Sequence, residues 1–271
     1  MDRTVIVTGA STGIGAITAR RFWQEGAKVV LVARTESNLV AVARQMDPTS
    51  TLVLPLDISE PEAAAYILEK AQARFGHIHI VVNSVVSHPQ GLFEKNDLGD
   101  LAAMVDVNLR APLLLCRLAL PYLRRSGKGT IVNVGSMAGR IPVPGAATYS
   151  ATKAALRTFS LALAQELKNR GITVSIVSPG PVLTDRVRRE LDRIPDLVFC
   201  IPVLRPEQVA DAILACAHDD KPERAIPPIG GFLTSAGEAL PWARNLCLPL
   251  AWRLGRWRKG QIRKMVQSGL R

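Results

Sequence analysis

The chain has 271 residues, 48% of them hydrophobic, which suits one large α/β domain with a sizeable core and requires no second domain. No apolar run approaches the length of a membrane span, so an integral helical membrane protein is not expected. The formal charge of +11 is uneven: residues 239–271 hold eight Lys or Arg and no acid, leaving +3 on the first 238, so the basic character belongs to a tail and not to the fold.

Cys116, Cys200, Cys216 and Cys247 are scattered and form no Cys-x-x-Cys pair, as expected for reduced thiols in a cytoplasmic protein. His77 and His79 alternate along a strand without a further ligand at suitable spacing, so a structural role is expected and no metal site. The first strand begins almost at Met1, and no secretory signal is expected ahead of it.

Residues 4–7 read as a short buried strand that runs into Thr8-Gly9-Ala10-Ser11-Thr12-Gly13-Ile14-Gly15 and then a helix over 16–25. Strand, glycine turn and helix in this order predict a dinucleotide site, because glycines let the backbone approach a pyrophosphate held by helix-start N–H groups. The second strand, 28–32, ends at Ala33-Arg34, where an acid would bind the ribose of NAD. Arg34 instead offers a guanidinium fork to a 2′-phosphate, with Ser11 and Thr35 as hydroxyl donors, which predicts NADP(H) in preference to NAD(H).

Residues 52–56 lead to Asp57-Ile58, where Asp57 reads as a cap of the next helix, and residues 78–82 deliver Asn83-Ser84-Val85-Val86. A helical pattern over 101–120 contains Asn108, which needs a hydrogen-bond partner if buried. The strand 130–134 ends in Gly135-Ser136. Next, Tyr149-Ser150-Ala151-Thr152-Lys153 opens the longest helical pattern and sets a phenol and an ammonium on one face. A phenol with an ordinary pKa of about 10 is favoured as phenolate by a nearby fixed positive charge, which Lys153 can supply.

Ala155, Phe159, Ala162, Leu163 and Leu167 read as that helix's apolar stripe and Gly171 as its end. The strand 172–177 runs into Ser178-Pro179-Gly180-Pro181-Val182-Leu183-Thr184. Residues 185–204 look irregular and, with Leu191, Leu197, Val198, Phe199 and Ile201, read as a mobile lid over a substrate. A helix over 206–218 and a closing strand and turn over 225–231 complete the series. The β and α alternation predicts a Rossmann-type, doubly wound parallel sheet.

The glycine spacing Gly9-x-x-x-Gly13-x-Gly15, with Ser136 and Tyr149-x-x-x-Lys153, resembles the short-chain dehydrogenase/reductase family, and the resemblance covers residues 4–231. It implies an oxidoreductase that interconverts a carbonyl and a secondary alcohol by hydride transfer to or from NADP(H). In that case Tyr149 is the acid-base residue, Lys153 lowers its pKa and holds the nicotinamide ribose, Ser136 binds the substrate oxygen, and Asn108 supports a proton relay through a water. By the same resemblance Asp57 and Ile58 meet the adenine ring, and Pro179, Gly180, Val182 and Thr184 bind the nicotinamide carboxamide. Asn83 matches the family's Asn-Asn-Ala-Gly, whereas Val85 and Val86 depart from it with branched side chains where small ones let the ribose approach.

Ile141, Val143, Leu183 and the lid residues suggest a mostly apolar pocket for a lipophilic substrate. A homodimer or homotetramer packed through the helices of Asn108 and Tyr149 is the implied assembly. The alternative is a non-catalytic NADP(H)-binding redox sensor, which has no use for Ser136, Tyr149 and Lys153 together. No nucleic-acid recognition motif accompanies the basic tail, so a nucleic-acid partner is not expected.

Residues 1–237 are thus expected to form the NADP-binding catalytic domain and 238–271 a basic extension carrying Trp242, Trp252 and Trp257. On a helical wheel Leu250, Leu254, Trp257 and Met265 fall opposite Arg253, Arg256, Lys259 and Arg263, with Arg258 intruding on the apolar side. Such a helix suits an anionic membrane surface; Pro249, Gly255 and Gly260 weaken it, and the other reading is an arm packed on the core or on a second subunit.

Overall fold

A computed structural model describes residues 3–89 and 91–268. Strands β1 (Thr4–Thr8), β2 (Lys28–Ala33), β3 (Thr51–Pro55), β4 (Ile80–Asn83), β5 (Gly129–Val134), β6 (Ile172–Pro179) and β7 (Glu223–Ile226) form one parallel sheet in the order β3-β2-β1-β4-β5-β6-β7. The helices are α1 (Gly13–Gln24), α2 (Glu36–Ala43), α3 (Ala63–Phe75), α4 (Leu98–Val105), α5 (Ala111–Arg125), α6 (Ala147–Glu166), α7 (Asp185–Glu190), α8 (Pro206–Ala215), α9 (Pro228–Ala239) and α10 (Pro241–Gln267).

Alternate residues of each central strand enter opposite cores. Val5, Val7, Val29 and Leu31 pack with Phe22 of α1 and with Val209 and Ile213 of α8. Ile6, Val30 and Val32 pack on the other side with Ile67 and Leu68 of α3 and Leu115 of α5. Covering both faces explains the unbroken apolar runs in the sequence. Each such fully buried side chain contributes about 1.5–3 kcal/mol. The sheet therefore holds its carboxyl edge rigidly, with Thr8 level with Val32 and Asn83, and Asn83 level with Asn133. Strand order reverses beside β1, which opens a crevice above that edge between β1 and β4.

Four expectations change. The closing strand starts earlier, at Glu223, and the expected turn through Gly231 is α9, with Pro228 in its first turn. The Tyr149 helix ends at Glu166, ahead of Gly171, because the chain already turns at residues 167–170. Its expected stripe is only partly inward: Leu156, Ser160 and Lys153 are buried, while Ala162 is exposed.

The expected lid is not irregular. It consists of α7 and two 3-10 turns, Leu191–Arg193 and Asp196–Cys200, and its apolar side chains serve a small core of their own. Leu191, Ile194 and Phe199 bury against Ile262 of α10. The extension supplies the missing cover, a long-range contact that local sequence cannot show. α9 also runs through residue 237, so the chain passes from the sheet to α10 without a linker.

Candidate active site

At the carboxyl edge of β1 the chain turns with Gly9 at φ 71° and Gly13 at φ 54°, left-handed values that favour glycine. A Cβ on Gly9 would stand 2.9 Å from the Ser84 carbonyl oxygen, and one on Gly15 would collide with the Gly9 carbonyl, so loop, α1 and the strand after β4 pack backbone to backbone. α1 then begins with neither a side-chain cap nor an acid in its first turn. Its unpaired N–H groups and the positive end of its dipole suit a phosphate, and a Cβ on Gly13 would stand 3.6 Å from the Thr184 methyl. These residues fit a nicotinamide dinucleotide.

Ser136 lies two residues past the end of β5 and caps the 3-10 turn Met137–Gly139 by accepting from the Ala138 N–H at 3.1 Å. Gly139 lies against the Lys153 backbone, where a Cβ would stand 2.6 Å from the carbonyl, and this contact docks the turn on α6. The docking brings Ser136 to the helix of Tyr149, where its side chain lowers the Tyr149 pKa. Lys153 is buried at 2% exposure, donates to the Val134 carbonyl at 2.8 Å and sits 5.9 Å from the centre of the Tyr149 ring.

The electrostatics differ from the sequence expectation. Burial raises the Tyr149 pKa above the ordinary phenol value, opposed by the Ser136 hydrogen bond and the charge of Arg186. The expected lowering by Lys153 does not emerge; burial depresses the ammonium itself to about 8.

Asn108 lies on a π-helical turn, Asp106–Arg110, that interrupts the expected long helix between α4 and α5. Its amide accepts from Ser87 N–H at 2.8 Å, donates to Ser87 C=O at 2.8 Å and reaches Thr152 Oγ1 at 3.3 Å. The side chain is thus committed to holding segment 84–89 beside the Tyr149 helix. Asn83 donates to Asn133 Oδ1 at 2.8 Å, and Asn133 continues to Ser160 of α6 at 2.8 Å, so a buried polar chain ties β4, β5 and α6 together. Val85 packs into the α3 and α5 side of the core, while Val86 is exposed.

Arg34 and Asp57 lie together at the far side of the carboxyl edge, 3.8 Å apart, with the Arg34 side chain 79% exposed. Asp57 does not cap α3, which starts at Ala63; it accepts from the N–H and hydroxyl of Ser59 at 2.9 and 2.6 Å. Burial would raise its carboxyl, but the Ser59 bonds and the Arg34 charge bring it below the ordinary value. Ile58 spends its side chain on the core. Thr35 precedes α2 without capping it, and Ser11 and Thr12 lie in the glycine loop. Pro179 ends β6, Gly180 packs against Ile201, Val182 bridges to Leu204, and Thr184 caps α7 through Val187 N–H.

Three residues carried no sequence signal. The His88 ring lies on the Tyr149 ring, and Arg186 donates to the His88 carbonyl. Burial, then the charges of Arg186 and Lys153, push the His88 imidazole down to about 3. Glu223 takes Arg140 and Arg157 at 2.7 and 2.8 Å and so binds the Ser136 turn, α6 and β7 into one unit. Their pairings span 61 to 98 positions and follow no motif.

The model of the short chain dehydrogenase family matches residues 3–194. An uncharacterized oxidoreductase of Staphylococcus saprophyticus is 35% identical over 186 residues, covering 68% of this chain and 76% of the relative. Another, of Staphylococcus aureus strain MRSA252, is 33% identical over 215 residues, covering 79% and 90%. The crystal structure of a 3-ketoacyl-(acyl-carrier-protein) reductase from Brucella melitensis complexed with NADH superposes with a TM-score of 0.74 at 26% identity, covering 83% of this chain and 96% of that one. The parallel sheet agrees with the fold of the Brucella neighbour, and the chain belongs to the short-chain dehydrogenase family of oxidoreductases.

Proposed function

We propose that the protein is an NADP(H)-dependent oxidoreductase that interconverts a carbonyl and a secondary alcohol on a lipophilic small molecule. The observation that carries the reading is the buried Lys153, 5.9 Å from the Tyr149 ring centre on α6, with the Ser136 turn docked on the same helix through Gly139. Bound NADP(H) supplies or accepts the hydride at the substrate carbon. Tyr149, a phenol protonated at neutral pH, is the general acid in reduction, and its phenolate is the base in oxidation. Ser136 donates to the substrate oxygen, and Lys153 holds the nicotinamide ribose and places positive charge beside the phenol. Asn108, through Ser87 and Thr152, keeps the relay side of the site in place.

Gly9, Thr12, Gly13, Ile14 and Gly15 hold the pyrophosphate; Arg34, with Ser11 and Thr35, takes the 2′-phosphate. The exposed guanidinium at the end of β2 supports NADP(H) over NAD(H). Asp57 and Ile58 border the adenine, Asn83 supports the ribose side, and Pro179, Gly180, Val182 and Thr184 hold the carboxamide. Ile141 and Val143 support an apolar substrate body, as does the ketoacyl substrate in the name of the Brucella neighbour. Of the lid's apolar side chains, Leu191, Val198 and Phe199 are spent on the lid core, while Ile201 packs on Gly180.

Residues 1–237 are the catalytic unit and 238–271 a basic arm of a cytoplasmic homodimer or homotetramer. A groove of about 420 Å³ between α5 and α6, lined in part by Leu113, Leu120, Phe159 and Leu163, supports assembly through these helices. The second reading, an NADP(H)-binding sensor, is favoured by His88 covering one face of Tyr149. A panel of ketones, aldehydes and secondary alcohols followed by NADPH absorbance separates the two. Turnover that Tyr149→Phe abolishes establishes the enzyme; tight NADPH binding with no turnover across the panel favours the sensor.

A further inference from the structure

The two sides of α10 have different fates. One side is occupied within the chain: Gly255 meets the Asp196 carbonyl so closely that a Cβ would collide, Lys259 donates to Ile194 C=O at 2.6 Å, and Ile262 enters the lid core. The opposite side carries Trp242, Leu246, Leu250, Leu254 and Trp257, which recur at intervals of four, four, four and three and so share one helical face. These are 37–73% exposed. α9, in contact with α10, adds exposed Ile229, Phe232 and Leu233. An apolar face of this kind on a helix that is already anchored from behind is fitted for a partner outside the chain.

Charge identifies the partner. Residues 239–271 hold eight cations and no acid; Lys264 falls by spacing on the face of Leu250 and Trp257, and Arg253, expected on the opposite side, stands three residues from Leu250 and four from Trp257 and so flanks that face instead. A second copy docking on this face about a twofold axis would set the two basic arms against each other, which like charge opposes. A bilayer containing anionic lipid satisfies both features: tryptophan rings settle at headgroup depth, and arginine and lysine stems lie along the apolar face with their heads at the phosphates. Among the described residues no helix is long and apolar enough to cross a membrane, so such a helix would lie in the interface plane. We propose that the outer face of α10, assisted by α9, docks the protein on an anionic membrane surface while the inner face keeps hold of the lid.

The test is co-sedimentation of the full chain with phosphatidylcholine vesicles, with and without phosphatidylglycerol, at low and high salt. The comparison is Leu250→Glu/Trp257→Glu, whose exposed positions leave the core contacts untouched, with folding checked by circular dichroism. A second variant, Arg253→Glu/Lys264→Glu, reads the charge alone. Partitioning to the phosphatidylglycerol vesicles that falls roughly tenfold or more in the apolar variant, and less in the charge variant, is the expected result. Equal partitioning to both vesicle types, no binding, or parent-like binding by a folded apolar variant overturns the proposal. So does sedimentation velocity showing that the apolar variant dissolves a self-associated state while vesicle binding is unchanged, which would make the face a subunit interface.

Discussion

The imidazole of His88 lies face to face with the phenol of Tyr149, ring centres 3.8 Å apart and planes within 9° of parallel. The stack covers one face of the phenol, and the Ser136 side chain lowers its pKa against the effect of burial. Because burial and the charges of Arg186 and Lys153 hold His88 near 3, the ring is neutral throughout the range in which such an enzyme is assayed. His88→Ala is expected to alter KM several-fold and to leave the shape of the kcat/KM profile between about pH 5 and 8 as in the parent. A step near the ordinary histidine pKa, present in the parent and missing from the variant, would show that His88 titrates in catalysis.

Tyr149→Phe keeps the ring and its stack but removes the phenolic proton. Turnover should drop by about 10²–10⁴-fold, the usual contribution of a positioned acid-base group, with NADPH affinity within a few-fold of the parent. Fluorescence titration beside the absorbance assay separates the two effects.

Arg34→Ala removes a charge-assisted contact that only a 2′-phosphate can use. NADPH affinity should fall by roughly tenfold or more while NADH changes little. The guanidinium is 79% exposed and its Asp57 partner stands at 3.8 Å, so the change should cost little stability, which thermal melting checks. Equal weakening of both cofactors would refute the assignment.

Lys153 offers a pH test. Its pKa drops from an ordinary 10.5 to about 8 on burial, so the unfolded chain binds a proton more readily than the folded one. Stability linked to this group is therefore lowest below about pH 8 and rises as pH climbs from 8 to 10.5, where both states lose the proton. Holding the charge in the fold costs about 3 kcal/mol at neutral pH. Lys153→Met should be inactive, yet its stability relative to the parent should be most favourable at neutral pH and decline across that window in urea titrations. A stability difference that is flat with pH would mean that the ammonium is not strained by burial.

The lid depends on α10. Lys259 is 8% exposed, donates to the Ile194 carbonyl and pairs with Asp196 at 3.2 Å. Lys259→Met leaves the Ile194 carbonyl without its buried donor and leaves Asp196 to Arg256 alone, and a loss of about 1–3 kcal/mol is expected. Gly255→Ala should act in the same direction through the collision with the Asp196 carbonyl. Hydrogen exchange should quicken first over residues 191–200 and leave β1 and β4 protected; uniform loss of protection would show that lid and sheet unfold as one.

Much of this molecule was set by local sequence. The apolar runs of β1, β2 and β5 could only be strands buried on both faces, and Gly9 and Gly13 demanded a turn whose backbone no other residue adopts cheaply. The four-residue spacing of Tyr149 and Lys153 was bound to place both on one helix face, and the spacing of Leu250, Leu254 and Trp257 did the same for the arm. What only the tertiary structure decided are pairings between residues far apart in the chain. His88 met Tyr149 because Asn108 grips Ser87; Glu223 collected Arg140 and Arg157; and α10 turned a segment that reads as a loose lid into a packed one by lending it Ile262 and Lys259. The protonation of the site belongs to this second class as well. Spacing told that an ammonium stands near a phenol, but burial, a property of the assembled fold, set the direction in which each of them shifts.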